Sequence, residues 1–150
     1  MSESENVNNE LKLIIFKLGR EEYGMDILRV QEIKRMMSIT RVPSTPPFIK
    51  GVINLRGSVL PVIDLRTRLG LAETELRDAA RIIVILVNET TVGFIVDEVV
   101  EVTTIDTKNV EVAHALSTGL STEYISGIAK ADNRLFIILS PDSIVNIQQA

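Results

Sequence analysis

The stretch FIKGVINLRGSVLPVIDL, Phe48 to Leu65, decides the architecture. Apolar residues fill Phe48 to Leu55 and Val59 to Ile63 on either side of Arg56-Gly57-Ser58. Two short strands joined by a turn give this pattern, with Gly57 supplying the conformational freedom that the turn needs. Asp64 follows the second strand and is placed to cap a short helix ending near Gly70. Just upstream, Thr40 to Pro47 reads as a loop stiffened by Pro43, Pro46 and Pro47, which fix φ and remove donors.

The same grammar extends in both directions. Leu11 to Leu18, the turn residues Gly19 to Glu22, and Tyr23 to Ile27 predict a hairpin. Asp26 can cap a helical segment in which Ile27, Val30 and Ile33 recur every three residues, or the stretch can continue as a strand; the pattern allows both. Beyond a polar connector, Ala72 to Ala80, a third hairpin runs Arg81 to Val96 around Asn88 to Thr91, and strand character resumes from Val99 to Ile105. Thr107 to Thr122 reads as loop. A fourth hairpin spans Tyr124 to Leu139 around Ala131-Asp132-Asn133, and Ser140-Pro141 opens a final helix. Residues 1–10 lack apolar content and are expected to be a disordered tail.

Composition agrees with strands. The 150 residues include 19 Ile and 16 Val but only 4% aromatics, and β-branched side chains fit a pleated surface. Cys 0 excludes thiol nucleophiles, thiolate metal sites and disulfides. A formal charge of −4 argues against a protein whose task is neutralising phosphates. The longest apolar run, Ile82 to Val87, is six residues, far short of the roughly 20 needed to span a bilayer. The acidic start, Ser2 to Asn6, is unlike a secretory signal, so a cytoplasmic location without membrane insertion is expected.

Laid side by side, the elements repeat. Gly24 to Ile33 aligns without gaps on Gly93 to Val102 through the pattern G-x-x-[IV]-x-x-V-x-E-[IV], and Phe48 to Asp64 aligns on Tyr124 to Ser140, giving offsets of 69 and 76. Both copies keep one order of elements, as a duplicated β unit would. Each unit is too small to hide its edges unless it curls or closes, so two tandem barrels sharing one core are expected. The fold class is therefore all-β with short helices. Residues 11–150 are expected to form a single domain made of two intertwined β-barrel subdomains, approximately 11–80 and 81–150.

Chemistry for catalysis is sparse. The sole histidine, His114, lies in a polar segment and reads as a solvated loop residue; one His and no Cys cannot build an imidazole or thiolate metal site. Glu21-Glu22 and Asp97-Glu98 are adjacent acids, but neighbours on a strand point to opposite faces, so they read as solvated turns and edges rather than a cation site. The eight glycines never cluster into a phosphate loop. No catalytic, cofactor or metal residue is assigned, and an enzyme is not expected. A nucleic-acid module is the alternative that small barrels suggest, but Phe16, Tyr23, Phe48, Phe94, Tyr124 and Phe136 mostly sit in apolar strand contexts.

Phe48 to Leu65 closely resembles the central segment of the CheW family of bacterial chemotaxis coupling proteins. Glu22 to Ile33, Val92 to Asp97 and Leu120 to Gly127 are similar to further family segments, in order, so the resemblance spans about residues 11 to 148. It implies two five-stranded SH3-like barrels around a shared hydrophobic core. It also implies a non-enzymatic adaptor that couples the cytoplasmic tips of transmembrane chemoreceptors to the histidine kinase CheA, whose regulatory domain is itself CheW-like. A chain running from Met1 to a helical end at Ala150 is expected to carry no receiver domain. The Asn-Leu-Arg-Gly match places the family's receptor-coupling arginine at Arg56, flanked by Asn54 and Gly57. Val30 and Glu32 match family coupling positions, and Leu28 and Ile33 are expected to complete an apolar groove wall, with core packing an equal alternative for Ile33. Val99 and Glu101, the repeat counterparts of Val30 and Glu32, are expected to contribute to kinase contact.

Overall fold

The computed structural model describes residues 9–111 and 122–146. The strands are β1 (Glu10–Leu18), β2 (Glu21–Asp26), β3 (Val30–Arg35), β4 (Ile49–Leu55), β5 (Ser58–Asp64), β6 (Arg81–Val87), β7 (Thr90–Val96), β8 (Glu98–Asp106), β9 (Val110–Glu111), β10 (Ile125–Ala131) and β11 (Arg134–Leu139). Two short helices, α1 (Leu65–Arg68) and α2 (Pro141–Val145), follow β5 and β11. The expected caps are in place: the Asp64 carboxylate accepts from the Arg66 amide at 3.1 Å, and the Ser140 hydroxyl accepts from the Ser143 amide at 3.4 Å with Pro141 at the first position. The open question at Asp26 resolves as both answers in turn. Asp26 caps a single 3-10 turn, Ile27–Arg29, and the chain then runs on as β3.

The strands form two sheets, in the orders β8-β1-β2-β11-β10-β9 and β3-β6-β7-β5-β4. In the first, β8 passes through a 3-10 turn, Thr107–Asn109, into β9, so the two ends of the order are one bent strand and the sheet closes as barrel 1. In the second, Thr40 beyond β3 bridges Val52 of β4 through two backbone bonds of 2.9 and 2.8 Å, closing barrel 2. Closure of barrel 2 rests on this one bridge, and the facing edges of β3 and β4 are otherwise unpaired among the described residues.

The cut expected at residue 80 separates the two repeats but not the two barrels. Barrel 1 joins the hairpin β1-β2 of the first repeat to β8–β11 of the second, and barrel 2 joins β6-β7 of the second repeat to β3–β5 of the first. The parallel pairs show the exchange: Gly24 faces Ile138, and its counterpart Gly93 faces Val62. The reason lies at the junctions. Only a three-residue turn separates β2 from β3, and only Asp97 separates β7 from β8, too little chain to double back, so each strand pair continues into the neighbouring barrel. The tail expectation also needs trimming, because Glu10 already pairs with Asp106 in β1.

Each barrel has a small interior: Leu13, Ile15, Ile105 and Phe136 in barrel 1, Ile53, Leu60, Ile82 and Val84 in barrel 2. The larger core lies between them, where Phe16, Tyr23 and Met25 meet Ile83, Ile85 and Phe94, all at most 2% exposed. Burial of these side chains supplies the main driving force for association of the barrels. Arg68 of α1 closes one side of this junction. Its guanidinium lies 3.9 Å from the ring centre of Phe48 and 5.0 Å from that of Tyr124, which occupy matching places in the two repeats.

Candidate interaction surface

Arg56 and Gly57 are the two residues of the β4-β5 turn, with φ of 52° and 85°. Positive φ at both positions matches a type I′ hairpin turn, whose twist suits the flanking strands. Asn54 stabilises it, its side-chain carbonyl accepting from the Gly57 amide at 3.0 Å. The turn thereby projects the Arg56 guanidinium across the seam between β4 and β3. There it donates through both terminal nitrogens to Glu32, one bond being 3.3 Å from Nη1 to Oε1 and the other joining Nη2 to Oε2. Lys34 Nζ lies 3.9 Å from the same carboxylate. The hydrogen bond from Arg56, aided by the nearby positive charges, holds the Glu32 carboxyl below the usual carboxylate range.

Exposed apolar residues lie on the same turn, hairpin and strand of barrel 2. Leu28, at the 3-10 turn between β2 and β3, is 87% exposed, Val59 beside Asn54 is 66% exposed, and Ile33 is 42% exposed. Ile33 is therefore not a core residue. Val30 is half-buried against the central core, as is Val99. The structure thus brings Arg56, Glu32, Asn54 and Gly57 together at the barrel 2 seam, with Leu28, Val30 and Ile33 on the chain leading into and along β3.

Glu101 lies elsewhere, on barrel 1, but its setting repeats that of Glu32. It accepts from Arg134 Nη1 at 2.6 Å, and Arg134 also donates from Nε and Nη2 to Glu22 at 3.1 and 3.0 Å. Again a strand glutamate meets an arginine beside a hairpin turn. Arg134 is held firmly protonated by the two carboxylates. Exposed Val102 and Leu135 occupy the repeat positions of Ile33 and Val59. The offsets of 69 and 76 contain this information, yet residue types alone did not mark Val59, Val102, Arg134 or Leu135.

Of the adjacent acids, Glu21 and Glu98 are exposed as expected, whereas Glu22 and Asp97 are partly buried in ion pairs: Glu22 binds Arg134, and Asp97 accepts from Arg66 at 3.2 and 2.5 Å and from the Gly19 amide at 2.7 Å. Among the described residues no three His, Asp or Glu side chains converge as a metal site would require. His114 lies outside the described residues. Phe16, Tyr23, Phe94 and Phe136 are buried, and Phe48 and Tyr124 are half-buried beneath Arg68, which leaves no row of open rings for stacking bases. No helix among the described residues is long and apolar enough to cross a membrane.

Two closed barrels with exchanged hairpins, a common core and paired surface ion bridges define a double SH3-like β protein. The family model for the CheW-like domain matches residues 12–149, and the chain belongs to the CheW family. It is 40% identical over 135 residues to the chemotaxis protein CheW of Bacillus subtilis, covering 90% of this chain and 86% of that protein. It is 36% identical over 138 residues to the chemotaxis protein CheW of Klebsiella aerogenes, covering 92% and 83%. Its fold matches the crystal structure of the scaffolding protein TtCheW from Thermoanaerobacter tengcongensis with a TM-score of 0.86 at 37% identity, over 93% of this chain and 90% of that one.

Proposed function

We propose that this chain is a non-catalytic cytoplasmic adaptor in bacterial chemotaxis that couples chemoreceptors to the histidine kinase CheA. The observation that carries the reading is the Arg56–Glu32 pair on the barrel 2 seam, with exposed Val59 on the same hairpin and exposed Leu28 and Ile33 on the chain leading into and along β3. Apolar side chains around an oriented guanidinium suit a partner helix that lays its apolar face on the protein and offers carboxylate or carbonyl oxygens to the fork. Asn54 and Gly57 serve by shaping the turn, Glu32 by aiming Arg56, and Val30 by seating β3 on the core. Kinase contact is assigned to the barrel 1 side through Glu101, with Val99 anchoring its strand. Two surfaces on different barrels allow one chain to touch two partners at once.

Co-sedimentation with a receptor cytoplasmic fragment and CheA, singly and together, tests this reading. Arg56→Asp places two acids face to face across the seam and is expected to reduce receptor binding and receptor-dependent kinase activation while leaving the circular dichroism spectrum unchanged. Full activation by that variant, or wild-type protein that sediments with neither partner, refutes the proposal.

A further inference from the structure

Among the described residues the chain crosses between barrels twice, at Ile27–Arg29 and at Asp97, and an arginine–aspartate pair ties each crossing to a helix. Asp97 binds Arg66 of α1. Arg29 binds Asp142 of α2, Nη2 to Oδ2 at 3.0 Å, and also donates from Nη1 to the Leu86 carbonyl of β6 at 3.2 Å. In repeat register Asp142 corresponds to Arg66, and Arg29 corresponds to Glu98, the neighbour of Asp97. The two links are thus similarly placed, one residue out of register at the crossing, with acid and base exchanged. They differ in exposure: Arg66 and Asp97 side chains are 12% and 25% exposed, whereas Arg29 and Asp142 are 34% and 49% exposed.

The looser link sits on the turn that carries Leu28. That side chain is almost fully exposed, so its position is set by the backbone of Ile27–Arg29 rather than by packing. Within the turn, the Leu28 amide is held by Asp26 at 3.0 Å and the Val30 amide by the Ile27 carbonyl. Arg29 fastens the turn to barrel 2 and α2 through polar bonds, beside Ile27, which packs on the central core. We propose that Arg29 is a positioning residue for the partner surface, and that Asp142, on the C-terminal helix, sets how firmly Leu28 and Val30 are presented. The assignment of a partner to this surface rests on the adaptor reading above; the link itself does not.

Asp142→Asn removes the charge without changing shape, and it leaves Arg29 in place with its bond to Leu86. Against a receptor cytoplasmic fragment, the variant is expected to bind about two- to fivefold more weakly than wild type, the range an exposed ion pair supports. Asp142→Glu is expected to recover binding to within about twofold, whereas the charge-exchanged double variant Arg29→Asp/Asp142→Arg, which restores the ion pair but loses the donor to the Leu86 carbonyl, is expected to recover it only in part. In the free chain, hydrogen exchange at the Leu28 and Val30 amides is expected to quicken in Asp142→Asn while the β6-β7 amides stay unchanged. Wild-type binding by Asp142→Asn, or failure of both rescues, overturns the positioning role. If wild type itself ignores the fragment, the adaptor reading falls instead, and the exchange data alone decide: faster Leu28 and Val30 amides uphold the link, and unchanged ones overturn it.

Discussion

Replacing Gly51 with alanine should open barrel 2 at its seam. Gly51 has φ of 154°, and a Cβ there would lie 2.2 Å from the Thr40 carbonyl oxygen and 2.8 Å from Ile39 Cγ2. Backbone atoms cannot rotate out of the way, so the Thr40 segment must withdraw. Withdrawal breaks the two Thr40–Val52 backbone bonds of 2.9 and 2.8 Å, the only bridge that closes this barrel among the described residues. Each such bond contributes about 1 kcal/mol net, and forcing a side chain onto this backbone adds roughly 1 kcal/mol more, for a loss of about 3 kcal/mol. For a chain of this size that corresponds to a melting temperature lower by about 6–12 °C. Urea denaturation followed by circular dichroism measures the loss, and hydrogen exchange at the Thr40 and Val52 amides locates it. A loss below about 1 kcal/mol, or unchanged exchange at those two amides, would refute the claim that close backbone approach at Gly51 closes the barrel. The counterpart Gly127 meets Val110 Cγ1 at 2.7 Å and the Glu111 carbonyl oxygen only at 3.2 Å, a looser backbone approach than at Gly51, so Gly127→Ala should cost less.

Acid and alkali should act at named groups. Burial works to raise the Asp97 carboxyl, but the bonds from Arg66 and the Gly19 amide outweigh it and hold the group below its ordinary value of 3.8. A depressed carboxyl contributes stability above its unfolded value and loses it as pH falls through the folded one, so acid unfolding should begin below about pH 4 and Asp97→Asn should flatten that limb. Guanidinium melts at pH 7 and pH 3 check this. Burial raises the Tyr23 phenol to about 12 from 10.0. The unfolded chain ionises first, so that contribution is complete below about pH 10 and disappears as pH rises towards 12. Tyr23→Phe should remove this alkaline loss, read as the difference in melting temperature between pH 9 and 11.

Much of the local structure was legible in the chain. The Phe48 to Leu65 hairpin, the caps at Asp26, Asp64 and Ser140, and the two-copy register all follow from short-range periodicity and turn chemistry. The candidate surface was legible only in part. Asn54, Arg56 and Gly57 stood out because their turn resembles the family's Asn-Leu-Arg-Gly segment, whereas Val59 and Leu135 looked like ordinary alternating strand residues until their exposure was known.

What the amino-acid sequence by itself determined was the set of elements and their duplication, because alternation, glycine and capping residues act over a few neighbours. What only the tertiary structure decided was partnership. A hairpin of either repeat presents nearly the same apolar face and backbone edge to both sets of remaining strands, so the local pattern cannot choose between them. The short junctions at Ile27–Arg29 and Asp97 make that choice, sending each hairpin to the opposite barrel. The ion pairs follow from it: Glu32 finds Arg56 across 24 residues and Glu22 finds Arg134 across 112, distances along the chain that only the closed barrels bring within a hydrogen bond.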